Sequence, residues 1–212
     1  MIRNTDPIQS YMTELCSTIN LLSHEKISQV ISTLHQARIE KRQIFIMGNG
    51  GSASTASHFV CDLGKNTRKA DWPNYRVMGL TDNMAIFSAY ANDEGYSQVF
   101  VQQLASFVEP GDVVIGISAS GNSLNVLEAI RYANEAQAIT IGFTGFDGGK
   151  LGEMVQIQVH VSSDCIEHVE DIHLMLEHLI CKALREKVYM NENQLNGKNS
   201  APVKILQGHP SH

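Results

Sequence analysis

His58 and Asp62 stand four residues apart in a stretch that reads as helix, and that spacing puts two side chains on one helical face. Farther on, Glu167, Glu170, His173, Glu177 and His178 gather at the start of an otherwise apolar helical run. Groups of imidazoles and carboxylates have two chemistries open to them. They can hold a divalent metal of the zinc type, or they can move protons as general acid and base. Each group alone also has a plain explanation. A helical His–Asp pair often only steadies its helix, and a single histidine often only packs.

Two loops supply the binding that such chemistry needs. Gly48-Asn49-Gly50-Gly51-Ser52 follows the apolar run Ile44-Phe45-Ile46-Met47, and Ser118-Ala119-Ser120-Gly121-Asn122-Ser123 follows Val113-Val114-Ile115-Gly116-Ile117. Both are expected at the carboxyl ends of buried parallel strands, where open α/β sheets bind ligands. Glycines let backbone N–H groups approach an anion, serine hydroxyls add donors, and the helix that follows brings unpaired N–H groups with a favourable dipole. The guest these loops suit is a phosphorylated small molecule. Gly48-x-Gly50-x-x-Ala53 also fits the dinucleotide fingerprint, but the acid that should end the next strand is misplaced: Asp71 comes before that strand and Asp82 too late after it. A Walker loop is excluded, because no Gly-Lys-Ser/Thr follows. The serine loop has its own plain alternative, a polar turn that merely caps a helix.

The elements that must position these residues are legible in the hydrophobic pattern. Ile8, Met12, Leu15, Ile19 and Leu22 form one helical stripe; Ser23-His24-Glu25 reads as a break and a new N-cap, with Ile27, Val30, Ile31 and Leu34 on the next helix. An amphipathic pair placed ahead of an α/β core packs on that core or on another subunit. From Gln43 on, strands near 43–47, 76–80, 112–117, 138–143 and 155–161 alternate with helices near 52–63, 83–91, 95–107, 123–136 and 169–189. That order predicts a parallel sheet covered on both faces. In the last strand Val155, Ile157, Val159 and Val161 alternate with Gln156, Gln158 and His160, which marks a sheet edge and makes His160 a surface residue. Residues 1–189 are expected to form a single domain, and the polar stretch 190–212 a mobile tail.

Composition narrows the function classes. The 16 basic against 22 acidic residues leave a net charge of −6, the wrong sign for a protein built to neutralise nucleic-acid phosphates. The polar start Met1–Gln9 does not read as a signal peptide, and no apolar run approaches the roughly 18 residues of a membrane span. A cytoplasmic location is the expectation. Cys16, Cys61, Cys165 and Cys181 show no C-x-x-C spacing, so reduced thiols are expected and not a zinc ribbon or a disulfide framework.

Taken together, Gly48-Asn49-Gly50-Gly51-Ser52, His58-Phe59, Ala91-Asn92-Asp93, the serine loop, Thr144-Gly145-Phe146-Asp147-Gly148-Gly149-Lys150 and the helix of His178 resemble the sugar isomerase (SIS) family, and within it the bacterial phosphoheptose isomerases. The resemblance runs from about Ile8 to about Lys187. It implies a flavodoxin-like α/β/α sandwich around a five-stranded parallel sheet, with the N-terminal helices as an extension. It also implies a homotetramer with active sites shared between neighbouring subunits. The implied reaction is aldose–ketose isomerisation of a phosphorylated sugar, such as sedoheptulose 7-phosphate, through an enediol. Carried over by position, the family's sugar-phosphate contacts fall on Asn49, Gly50, Gly51, Ser52, Asn92, Asp93, Ser118, Ala119, Ser120, Ser123 and Glu170, with the phosphate on the serine loop. The catalytic acid and base fall on Asp62 and His178. The implied zinc ligands are His58, Asp62, Glu170 and His178. This chain departs from the family in having Asp62 for a glutamate, Glu170 for a glutamine and Ala119 for a threonine. The charge of Glu170 would tighten a cation site. Relatives that bind partners without catalysis, such as the replication-initiator-associating ones, keep the loops and lose the histidine; this chain has His178.

Overall fold

The structure is a computed structural model and describes residues 6–195. Two helices open the chain. Pro7–Ile19 (α1) starts at Asp6, whose side chain accepts from the Ile8 amide, with Pro7 in the first turn where its missing N–H is not needed. His24–Ile39 (α2) starts at Ser23, which accepts from the Lys26 amide as the sequence pattern requires. The two helices meet different fates. Val30 and Leu34 of α2 are fully buried against the sheet domain, whereas α1 leaves Ile8 and Met12 exposed.

Five strands follow: Gln43–Gly48 (β1), Arg76–Gly79 (β2), Val113–Ser118 (β3), Ile139–Thr144 (β4) and Ile157–His160 (β5). All pairings are parallel, in the order β2-β1-β3-β4-β5. Side chains alternate across the pleat, so Ile44, Ile46, Val113, Ile115 and Ile117 enter one apolar layer with Phe59, Leu63, Ile172 and Leu176. Phe45, Met47 and Val114 enter the other with Phe100, Leu104, Val126 and Ile130. Both faces are therefore covered, which is why β1 and β3 read as unbroken apolar runs and not as alternating ones. β5 ends the sheet at one edge, as its alternation predicted.

The helices on these faces are Gly51–Cys61 (α3), Met84–Asp93 (α4), Val101–Ala105 (α5), Leu124–Glu135 (α6), Gly149–Met154 (α7) and Ile166–Leu195 (α8). Three boundaries differ from the sequence reading. The expected helix at 95–107 is a short 3₁₀ turn at Tyr96–Gln98 followed by α5, and Gly95, at φ 94°, lies outside helical space. α7 has no counterpart in the hydrophobic pattern, being too short to show a period. α8 runs on to Leu195, past the expected start of the tail, and the remainder of that stretch lies outside the described residues. Among the described residues no helix is long and apolar enough to cross a membrane.

Candidate active site

The strand order reverses between β1 and β3, and at such a switch point the loops at the carboxyl ends diverge and leave a crevice. The glycine loop leaves β1 and the serine loop leaves β3, next to each other in the register Gly48 to Ile117. Ser118 Oγ lies 3.2 Å from Ser123 Oγ, and the Asn122 amide donates to Ser120 Oγ at 3.2 Å. Ser123 stands at the N-cap of α6 yet makes no side-chain capping bond, so its hydroxyl is not consumed in starting the helix. That removes the plain reading of the loop as a cap. Gly121 is required here, since its φ is 63° and a Cβ would collide with the Gly148 carbonyl.

At the glycine loop, the first turn of α3 already faces an anion. The Glu170 carboxylate lies over Gly51, where an added Cβ would come within 2.5 Å of both of its oxygens. A carboxylate is stabilised at the positive end of a helix.

Two turns farther along α3 lies the ionisable cluster. His58, Asp62, Glu177 and His178 each offer a ligand atom, and these atoms all lie within 4.8 Å of one another. His58 Nε2 is 3.8 Å from Asp62 Oδ1, 3.6 Å from Glu177 Oε1 and 3.4 Å from His178 Nε2; His178 Nε2 is 3.1 Å from Glu177 Oε1. Asp62 opens a π-helical turn, Asp62–Asn66, a distortion common at functional sites, and its Oδ1 accepts from Asn66 Nδ2 at 2.6 Å. The two imidazoles are about half exposed and Asp62 nearly buried. Glu177 is wholly buried, and neither of its oxygens has a hydrogen-bond partner. Burial, and next the charge of Asp62, push its carboxyl up to about 8. Two imidazoles and two carboxylates at these distances suit a divalent cation.

One member of the implied ligand set lies elsewhere. Glu170 is not in this cluster, because seven residues of α8 separate it from Glu177, a rise of about 10 Å. α3 and α8 run side by side in the same direction, so Gly51 meets Glu170 and, seven residues on in both helices, His58 meets Glu177. A sequence signal for Glu177 existed. His173, Glu177 and Cys181 fall in steps of four on the buried face of α8, and a carboxylate on that face calls for a partner. His173 itself points away, to the Thr144 carbonyl at 3.3 Å, and burial lowers it to about 4. Glu167 is exposed and accepts from the Cys165 thiol. His160 is partly covered, with Nδ1 3.1 Å from Thr144 Oγ1.

Two polar residues of the crevice escaped the sequence reading. Asn125, buried in α6, exchanges hydrogen bonds of 2.8 and 2.9 Å with Asn49 and so ties the serine loop to the glycine loop. Tyr96 donates to Asn49 Oδ1 at 2.9 Å, while Asn92 and Asp93 are exposed at the end of α4, where Asn92 Nδ2 donates to Asp93 Oδ1 at 2.7 Å. A lone asparagine or tyrosine shows no period or spacing that would single it out.

Comparison with known proteins agrees with this arrangement. The SIS domain family matches residues 9–145. A probable phosphoheptose isomerase of Thermoplasma acidophilum is 38% identical over 166 residues, 78% of this chain and 91% of that protein. A phosphoheptose isomerase of Geotalea daltonii is 35% identical over 164 residues, 77% of this chain and 85% of that protein. Among solved structures, a phosphoheptose isomerase from Francisella tularensis superposes with a TM-score of 0.78 at 28% identity, covering 84% of this chain and 96% of that one.

Proposed function

The chain belongs to the sugar isomerase (SIS) domain family, among the phosphoheptose isomerases, and on that footing we propose that it interconverts sedoheptulose 7-phosphate and the corresponding aldoheptose 7-phosphate. The observation that carries the reading is the meeting of Asp62 and His178 in one cluster, brought together by two helices far apart in sequence. Isomerisation needs a base to take the proton from the carbon beside the carbonyl while the carbonyl oxygen gains one. The electrons of the broken C–H bond become the double bond of an enediol. Returning a proton to the former carbonyl carbon, while the hydroxyl on its neighbour gives up its own proton and becomes the new carbonyl, completes the exchange. Asp62, oriented by Asn66, and the half-exposed His178 are the two proton carriers; the direction of reaction decides which acts first.

The phosphate is held by Ser118, Ser120 and Ser123 at the start of α6, and Asn49, Gly50, Gly51, Ser52, Asn92, Asp93, Ala119 and Glu170 line the sugar. A divalent cation of the zinc kind fits His58, Asp62 and His178, and when bound it supplies Lewis-acid polarisation of the carbonyl oxygen.

The reading also has the chain assemble as a homotetramer in which neighbouring subunits complete each site. α4 supports it: this apolar helix has no buried residue, and Met84 and Ile86, with Met78 and Phe107 nearby, rim an open apolar hollow of about 710 Å³.

A panel of ketose phosphates of five, six and seven carbons, followed for aldose formation with and without zinc, tests the function. Turnover is expected for the seven-carbon member and least for the five-carbon one. Tight binding of all with turnover of none would leave a binding module. The phosphate assignment has its own check. Ser120→Ala is expected to weaken sugar-phosphate binding about tenfold, as loss of a hydrogen bond to a charged group does, with the melting temperature unchanged; an unaltered Kd by calorimetry contradicts it.

A further inference from the structure

We propose that Glu177 is the fourth ligand of the cation held by His58, Asp62 and His178, so that one chain supplies a complete shell of two imidazoles and two carboxylates, with Glu170 outside it. The proposal rests on the reading of this cluster as a cation site and names the residue that completes it.

Three observations lead there. Glu177 is a fully buried side chain with two unpartnered oxygens, and buried carboxylates are found paired or on a metal. Its nearest polar neighbours are the two imidazole nitrogens that face the same point, His178 Nε2 at 3.1 Å and His58 Nε2 at 3.6 Å. The spacing of the donors matches a tetrahedral shell. Four donors about 2.0–2.2 Å from zinc lie about 3.4 Å from one another; here the four donor atoms all lie within 4.8 Å of one another, and four of their six separations are 3.1, 3.4, 3.6 and 3.8 Å. Those four separations use one and the same atom of each residue.

Charge and reach agree with the geometry. Two carboxylates with neutral imidazoles balance a dication, which a half-buried site needs. Glu170 cannot substitute within the chain, since it stands two helical turns away over Gly51. Rigid helices on both sides hold the donors: His58 and Asp62 come from α3 and its π turn, Glu177 and His178 from consecutive positions of α8.

The test is zinc affinity of chelator-stripped, full-length protein, measured by competition with a chromophoric chelator. Glu177→Gln keeps the shape and removes the anionic oxygen; its Kd for zinc is expected to rise by about 100-fold, and His58→Ala by at least as much. Glu170→Gln is expected to stay within about threefold of the parent. Cobalt loaded in place of zinc should give the parent an intense four-coordinate visible spectrum that Glu177→Gln loses. For a measurement free of any variant, the anomalous map of zinc-loaded parent crystals should place the ion in contact with a Glu177 oxygen. An ion bound with Glu177 out of contact, or unchanged affinity in Glu177→Gln, overturns the assignment while the cation site stands. A parent that takes up no zinc overturns the cation site itself.

Discussion

Asp62→Asn and His178→Gln are each expected to lower kcat by about 10²–10⁴, the usual contribution of a positioned acid or base, while substrate Kd changes little. Asparagine keeps the shape of Asp62 and its contact with Asn66 but has no carboxylate to take a proton. Glutamine at 178 keeps a polar end at the mouth of the cluster but cannot cycle a proton near neutral pH. The losses should combine sub-additively, because the two groups serve one transfer and removing either already breaks it. Since both residues also face the cation position, the rates are to be compared in zinc and in chelator alike. Substrate deuterated at the carbon beside the carbonyl should react more slowly where proton transfer limits the rate, with label washing into solvent as the enediol exchanges. If both variants turn over substrate like the parent, the proton carriers lie elsewhere.

In chelator, the fold is expected to lose stability between pH 6.5 and 8, and Glu177→Gln to abolish that loss. Glu177 titrates near 4.5 in the unfolded chain and near 8 in the fold, so the folded state binds the extra proton. Its contribution is whole below 4.5 and declines as pH rises through 8. His173 has the opposite sense: burial lowers it from 6.5 to about 4, so its contribution is whole above 6.5 and declines as pH falls through 4. Each slope is about 1.4 kcal/mol per pH unit. Below 6.5 the lowered His173 and His35 oppose Glu177, and from 6.5 to 8 Glu177 lowers stability by about 2 kcal/mol. The difference between Glu177→Gln and parent should grow with pH across this range, to the order of 5 kcal/mol at pH 8. Urea unfolding at several pH values in chelator measures it directly, and parallel curves for the two proteins would contradict the buried, unpartnered carboxylate.

What the sequence by itself determined is whatever depends on near neighbours in the chain. Strand positions, the cap at Ser23, the edge character of Ile157–His160 and the pairing of His58 with Asp62 all follow from periods of two or of three to four residues. The glycine and serine loops announced themselves for the same reason: their chemistry is contiguous. Resemblance to a family added Asp62 with His178, since a pattern can be carried over without knowing the distances. The tertiary structure decided what lies between elements. It set the reversal between β1 and β3 that seats the two loops together, and it joined Asn49 to Asn125 across them. It also chose between two carboxylates on one helix. Glu170 and Glu177 are equally acidic in sequence and seven residues apart, hence on nearly the same face. Only the parallel docking of α3 along α8 sends one to Gly51 and the other to His58, because the rise along two packed helices, and not the spacing within either, fixes which side chains meet.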